Sequence, residues 1–198
     1  IQASVMNVDG TESVRKSYSI DCKKQAVKPD LYIVALGVRT YNDSSMNLTY
    51  SDKDVADLVS MFEKNQGSSG LYNKVHVQQL TNEQVVKENV ITTKEMLKSS
   101  KVDDQIVLFY SGHGLLDEEM DYFLSTYDVD FMSPSSRGLP FENFRDLIDG
   151  VPARNRLILV DACHSGEVDK DEVEHAEPDK QEDLALSTKG FAAKGKKV

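Results

Sequence analysis

Apolar residues follow two patterns along this chain, and each pattern predicts a different kind of element. Residues 31–38, 106–110 and, after Arg156, 157–160 are apolar runs rich in β-branched side chains, which is typical of strands buried on both faces of a parallel sheet. The fourth predicted strand is 156–160. The shorter run 75–77, which polar residues flank, predicts one more strand. We therefore expect four core strands.

The segments between these strands have apolar residues at helical spacing. The first predicted helix follows strand 31–38 and begins at Ser51, which together with Asp54 resembles a capping box. Residues 92–97 and 141–148 predict two further helices, and residues 122–130 a small excursion. Because parallel neighbours need long crossovers, strands alternating with helices predict an α/β fold with a mostly parallel central sheet and helices on both faces.

Polar segments flank this core on both sides. Residues 1–29 predict a β-hairpin with its turn at Asp9-Gly10, and we interpret this prelude as a candidate end of a preceding domain. Residues 30–166 form the expected main domain. Residues 167–198 are a predicted flexible linker, because the part from 167 to 183 carries nine acidic residues and two lysines and offers little apolar surface to bury.

Composition narrows the function. The 198 residues include 23 Lys and Arg against 33 Asp and Glu, a net charge of −10, which argues against a nucleic-acid partner. No apolar run approaches the roughly 20 residues of a membrane-spanning helix, so no membrane contact is expected. The chain opens at Ile1 without a Met or a signal pattern, which predicts an internal fragment, and a cytoplasmic location is favoured.

Two loops that follow core strands carry candidate chemistry. Residues 111–114 read SGHG after the third strand, and residues 161–166 read DACHSG after the fourth. The carboxyl ends of parallel strands meet at one edge of a sheet, where ligands bind. His113, between two glycines, is a candidate general base, and Cys163 is a candidate nucleophile because a nearby imidazole helps to form the reactive thiolate.

These two motifs resemble those of caspase-fold cysteine peptidases, and they are closer to metacaspases and bacterial caspase-like peptidases than to animal caspases. The 50-residue separation of His113 and Cys163 is similar to that of the caspase signature. The resemblance implies a three-layer caspase-like sandwich, a thioester acyl-enzyme on Cys163, and an oxyanion hole formed by the backbone N–H groups of Gly114 and Cys163. It also implies that residues 30–166 are the catalytic, large-subunit part, with the small-subunit strands absent from this chain and supplied by a partner segment or chain.

The resemblance further implies the substrate. Asp161 stands where animal caspases carry Gln, so the expected substrate is a protein or peptide with Arg or Lys at P1. A second pocket carboxylate is expected from Asp54, with Asp52 as its neighbour. Both have a competing interpretation, since Asp54 fits a capping box and Asp52 fits a helix's first turn. Asp161 has one as well, since its side chain can shape the loop through backbone hydrogen bonds.

The remaining expectations concern cofactors, metals, His164, self-cleavage and alternative functions. No cofactor and no metal are expected: the acidic residues at 117–121 match a calcium site poorly, and the two cysteines lack zinc spacing. We expect His164 to play a structural part. A basic-specific enzyme is expected to cleave itself among the lysines at the end of the chain, within a bacterial stress or defence protein. The alternatives are a non-catalytic caspase-like scaffold and a small-molecule-binding α/β domain.

Overall fold

A computed structural model describes residues 1–21, 27–162 and 164–165, the last two by their backbone alone. Its α-helices are short apart from the first. They are α1 (Ser51–Glu63), α2 (Lys87–Thr92), α3 (Lys94–Leu97), α4 (Pro134–Arg137) and α5 (Phe141–Arg145). The strands are β1 (Gln2–Ala3), β2 (Lys16–Ser17), β3 (Leu31–Gly37), β4 (Val75–Thr81), β5 (Gln105–Ser111), β6 (Gly114–Leu116), β7 (Tyr122–Leu124), β8 (Leu139–Pro140), β9 (Asn155–Asp161) and β10 (His164–Ser165).

The central sheet has four parallel strands in the order β4-β3-β5-β9, and all four were predicted from their apolar runs. The register pairs Gly37 with Thr81 on one side and with Ser111 on the other, and Ser111 with Asp161. All four strands therefore end along one edge. The loops that carry the two candidate motifs begin at that edge, as expected for a parallel α/β sheet.

Helices cover both faces of the sheet, which confirms the predicted three-layer α/β architecture. The alternate residues Leu31, Ile33 and Ala35 of β3 belong to a core cluster with α1. The intervening residues of β3 belong to a second cluster that includes residues of α2, α3 and α5. Successive side chains of a strand point to opposite faces, so β3, buried along its whole length, serves both clusters.

The predicted capping box at the start of α1 is wrong. The cap position is taken by Tyr50, no side chain bonds to the free N–H groups there, and Ser51 is already the first helical residue. Ser51 is buried because the first turn packs closely on the end of β3: a Cβ at Gly37 would lie 2.6 Å from the Ser51 carbonyl oxygen. The helix is therefore held by this packing rather than by a side-chain cap.

The other sequence predictions differ from the structure mainly in their bounds. In the amino-terminal segment, β1 pairs antiparallel with β2, and Gly10 has a φ of 81° between them. The helix predicted at 92–97 is α3 alone, because Thr92 ends the preceding α2. The helix predicted at 141–148 is α5 followed by a 3-10 turn. Such shifts are ordinary at element ends.

A second, small sheet extends from the edge where the central strands end. Its order is β10-β6-β7-β8, and β6 and β7 form a hairpin directly after the SGHG residues. Its strand β7 lies where the sequence predicted a small excursion at residues 122–130. Within the described residues, no helix combines the length and apolar character needed to cross a bilayer.

Candidate active site

His113 lies in the two-residue link between β5 and β6. Gly112 before it is buried, and a Cβ on that residue would lie 2.4 Å from the Tyr110 hydroxyl oxygen, so the turn accepts only glycine without rearrangement. The imidazole is half-buried and packs against two aromatic rings, those of Tyr41 and Phe131, with centroids 5.2 and 5.6 Å away. The histidine is thus held in place rather than freely exposed.

A backbone carbonyl fixes which ring nitrogen of His113 carries the proton. His113 Nε2 lies 2.8 Å from the carbonyl oxygen of Met46, in the loop after β3. A carbonyl oxygen can only accept, so Nε2 is the protonated nitrogen, and Nδ1 is the acceptor in the neutral ring. An imidazole so oriented can take a proton at Nδ1 while the Met46 carbonyl stabilises the cation that results.

His113 lines an open cavity of about 340 Å³ at the carboxyl ends of the strands. Of the predicted substrate-binding residues, Asp54 and Asp161 line the same cavity. The described lining contains these two carboxylates and neither Lys nor Arg; the other lining residues are Leu48, Thr49, Tyr50, Ser51, Ser111, Gly112 and Ala162. The described lining of the cavity is therefore acidic.

The two carboxylates reach the cavity from different elements. Asp54 lies in the first turn of α1 and is half-buried, and Asp161 is the exposed last residue of β9. The Asp161 carbonyl oxygen accepts a hydrogen bond from the Gly112 N–H at 3.1 Å. The backbone of Asp161 therefore joins the SGHG turn directly, and the residue lines the cavity.

Asp52 takes a different position. Its carboxylate accepts a hydrogen bond from Arg39 Nε at 2.8 Å, and it is not among the residues that line the cavity. The two aspartates are two positions apart on one helix, so their side chains project in directions about 200° apart. Asp54 therefore lines the cavity that His113 also lines, and Asp52 is paired with an arginine.

The second motif is described only around its cysteine. Cys163 itself lies outside the described residues, as do Cys22, His175 and the lysines at the end of the chain. Ala162 lines the cavity with His113, and the backbone of His164 pairs in parallel with Gly114. Gly114, the other predicted oxyanion donor, is buried at the start of β6.

Sequence reasoning missed two contributions to this site. Met46 acts through its backbone, which leaves no side-chain signature. Tyr41 and Ser125 lie under the histidine and carry hydroxyl groups that contact it or its partners. Tyr110 was a sequence signal for these buried hydroxyl groups, because it places a hydroxyl near the end of a mostly apolar strand.

The other candidate residues have structural partners. His76 lies near the amino end of β4, where Nε2 is 3.1 Å from Asp30 Oδ2 and the ring stacks on Tyr32. Asp117 accepts the N–H groups of Glu119 and Asp121 and so shapes its own turn. Across the described ranges, no three His, Cys, Asp or Glu side chains converge as metal ligands would.

The caspase-like motifs and fold are matched by known proteins. The family model of the caspase domain, peptidase C14, matches residues 32–195. The chain belongs to the caspase family. Membership is consistent with the parallel sheet and with the two motifs that follow its strands β5 and β9. It confirms the resemblance that the two motifs carry.

Individual relatives cover parts of this caspase domain. Metacaspase-7 of Arabidopsis thaliana is 33% identical over 78 residues, which cover 36% of this chain and 19% of the plant protein. The crystal structure of protein GSU0716 from Geobacter sulfurreducens matches with a TM-score of 0.55 and 21% identity, covering 71% of this chain and 53% of that one. The second likeness shows the shared fold. The chain thus spans less than two thirds of each of these proteins.

Proposed function

We propose that this caspase domain is a cysteine endopeptidase that cleaves after Arg or Lys, with Cys163 as nucleophile and His113 as general base and acid. The observation that carries the proposal is the acidic cavity in which a backbone-oriented imidazole lies beside two carboxylates. Both chain neighbours of Cys163 support its role, because Ala162 lines this cavity and the backbone of His164 pairs with Gly114.

The reaction follows from the tautomer of His113. Nδ1 accepts the Cys163 thiol proton as sulfur attacks the scissile carbonyl, and the resulting imidazolium gives a proton to the leaving amine. The product is a thioester, which water then hydrolyses to a carboxylic acid and the free thiol. Backbone N–H groups of Gly114 and Cys163 would donate to the oxyanion, at a typical value of about 10²–10³ in rate per donor.

Specificity follows from charge. A P1 Arg or Lys brings a cation into a cavity whose described lining contains Asp54, Asp161 and no basic side chain. Charge-assisted hydrogen bonds to a carboxylate are roughly twice as strong as neutral ones, and Arg can make two in parallel. A P1 Asp would instead meet repulsion from both carboxylates.

A panel of fluorogenic peptides that differ only at P1 tests the proposal. We expect the full chain to hydrolyse the Arg and Lys substrates and to leave the Asp and norleucine substrates intact. Cys163→Ala and His113→Ala controls should be inactive. Cleavage only after Asp would contradict the pocket assignment. An Arg-bearing acyloxymethyl ketone that fails to label Cys163 would favour a non-catalytic scaffold or a small-molecule-binding domain.

Self-processing is part of the same proposal. Lys189, Lys194, Lys196 and Lys197 are basic residues in the carboxy-terminal segment, which a basic-specific enzyme accepts as substrate. Intact-mass analysis should show cleavage after one of these lysines in the wild-type chain and none in Cys163→Ala. Equal cleavage in both proteins would assign the cut to another protease.

A further strand beside β9 is also proposed, supplied by a small-subunit segment or chain. β9 ends the described central sheet, and its side chains Leu157, Leu159 and Val160 are 48%, 36% and 38% exposed. Apolar edge strands of this kind are normally covered. Slow hydrogen exchange at the outward N–H groups of β9 in the active enzyme would support the pairing, and fast exchange would contradict it.

A further inference from the structure

Three hydroxyl groups lie together directly beneath the His113 turn. They belong to Tyr41 in the loop after β3, Tyr110 near the end of β5, and Ser125 just after β7. All three residues are buried, with 4%, 1% and 0% exposure respectively. The described structure leaves no buried side-chain polar atom without a partner, so this cluster is satisfied internally despite its burial.

The hydrogen bonds of the cluster begin and end on the backbone of His113. The His113 N–H donates to the Tyr41 hydroxyl oxygen at 3.1 Å. The Tyr110 hydroxyl lies 2.9 Å from the His113 carbonyl oxygen, which also accepts the Ser125 N–H at 3.0 Å. Between them, Ser125 Oγ lies 2.7 Å from the Tyr41 hydroxyl and 2.8 Å from the Tyr110 hydroxyl. Four contacts thus join the two peptide groups that flank the histidine.

The donor and acceptor capacities of these groups fix the direction of the hydrogen bonds that join Tyr41, Ser125 and Tyr110. The His113 N–H can only donate and its carbonyl can only accept. The Tyr110 hydroxyl donates its one proton to a carbonyl oxygen, that of His113 or that of Ser125. Tyr110 can therefore only accept from Ser125 Oγ, so Ser125 is the donor in that contact. Tyr41 must then donate to Ser125. Each hydroxyl donates once and accepts at least once, an arrangement in which neighbouring bonds strengthen one another.

We propose that Tyr41, Ser125 and Tyr110 are positioning residues that set the orientation of the His113 imidazole through this closed hydrogen-bonded circuit. The inference rests on the proposed function for its kinetic consequences, but the circuit itself is a property of the fold. It holds the backbone of His113 from below, while the Met46 carbonyl holds Nε2 from the side. Together they leave Nδ1 as the proton acceptor.

The cluster remains uncharged over the working range of the enzyme. Burial raises the pKa of Tyr110 well above its ordinary value, and the nearby Tyr41 adds to the rise. Burial also raises the pKa of Tyr41 and outweighs its hydrogen bonds with Ser125 and with the His113 N–H, which lower that pKa. Both hydroxyls therefore keep the proton that the circuit requires at neutral pH.

Single-atom deletions test the proposal. Tyr110→Phe and Ser125→Ala each break the circuit and keep the apolar packing. We expect kcat on an Arg substrate to fall about tenfold or more, with KM changed less than about threefold, because misplacing a reacting group lowers turnover rather than binding. Tyr32→Phe is the matched control: that buried hydroxyl makes one 3.2 Å bond to the Ser99 carbonyl. Its kcat should stay within about twofold of wild type. Unchanged kcat in both circuit variants would overturn the proposal.

Two further measurements separate this proposal from the proposed function. In a closed circuit, Tyr110→Phe combined with Ser125→Ala should cost little more in kcat than either change alone, whereas independent contributions would multiply. The ¹⁵N shifts of the His113 imidazole should report the Nε2–H tautomer in wild type and a mixture in both variants. This second readout needs no peptidase activity. A single unchanged tautomer would overturn the positioning role even if the enzyme cleaves as proposed.

Discussion

Met46 and His113 are joined by one hydrogen bond of 2.8 Å between a main-chain carbonyl oxygen and imidazole Nε2, although they are 67 residues apart. The loop after β3 thereby determines which nitrogen of His113 can accept a proton. Any looseness in that loop should appear as lost turnover. Residues that hold this loop in place by hydrogen bonds, which we call its anchors, are therefore useful targets for mutation.

Asn82 is one of these anchors. Its Oδ1 accepts the N–H groups of Arg39 and Thr40 at 2.9 and 3.0 Å, and its own φ is 50°, which Asn and Gly tolerate better than other residues. Asn82→Gly keeps the backbone geometry and removes the acceptor. We expect a loss of about 1–2 kcal/mol in unfolding free energy, measured in urea, together with reduced kcat.

Asn82→Asp is the matched control, since it keeps the acceptor oxygen. It should retain most of the stability and turnover that Asn82→Gly loses. Equal losses in both variants would show that the amide group matters for another reason.

The two cavity carboxylates give a sharper prediction about specificity. Asp54→Asn and Asp161→Asn should each lower kcat/KM on an Arg substrate about 10- to 100-fold, the range expected for one charge-assisted hydrogen bond. Asp52→Asn removes a carboxylate from the same helix that is paired with Arg39 outside the cavity. Its effect should stay within about threefold, as for other partly exposed ion pairs. Equal effects at 52 and 54 would contradict the assignment.

The sequence predicted the elements whose signal is carried by side-chain pattern. Continuous apolar runs such as 31–38 identify buried parallel strands, and parallel strands necessarily bring the loops at 111–114 and 161–166 to one edge. The family resemblance added the expected pairing of His113 with Cys163 and the pocket carboxylates Asp161 and Asp54, with Asp52 as the neighbour of Asp54. Of these residues, the described structure brings His113, Asp54 and Asp161 to one cavity.

The features that the sequence did not predict depend on packing and on backbone groups. Nothing in the residue type at 46 indicates that its carbonyl meets an imidazole. The choice between Asp52 and Asp54 required the rotation of α1 relative to the sheet, which close contact at Gly37 sets. Ser51 resembles a cap in sequence, but it is buried as the first residue of α1, and the N-cap position falls on Tyr50.

Gly37 gives a third prediction, because it allows α1 to approach β3. A Cβ there would lie 2.6 Å from the Ser51 carbonyl oxygen and 2.7 Å from Val55 Cγ2. Gly37→Ala should push the first turn of α1 outward, lower the unfolding free energy by about 1–3 kcal/mol, and raise KM for Arg substrates as Asp54 moves. The exposed Ala56 of α1 provides the control. Ala56→Gly should cost about 1 kcal/mol with unchanged KM.

Asp30, at the amino end of the central sheet, gives the last prediction, which concerns acid stability. Burial alone would raise the pKa of its carboxyl, but hydrogen bonds from Asn73 and His76 and the charges of His76 and Lys101 together lower it. Asn73 Nδ2 donates to Oδ1 at 2.7 Å, and the His76 ring nitrogen lies 3.1 Å from Oδ2. The folded state therefore favours the ionised carboxylate.

A lowered folded-state pKa means that the stabilisation is fully present above the unfolded-state value of about 4 and is lost as pH falls through the folded-state value. Asp30→Asn should reduce the unfolding free energy by about 1 kcal/mol at pH 7, and its difference from wild type should shrink below about pH 4. Urea titrations between pH 7 and 3 measure this. Asp57→Asn, which removes an exposed carboxylate of α1, should change the pH 7 value little. A wild-type advantage that persists undiminished at pH 3 would show that Asp30 stabilises the sheet without its charge.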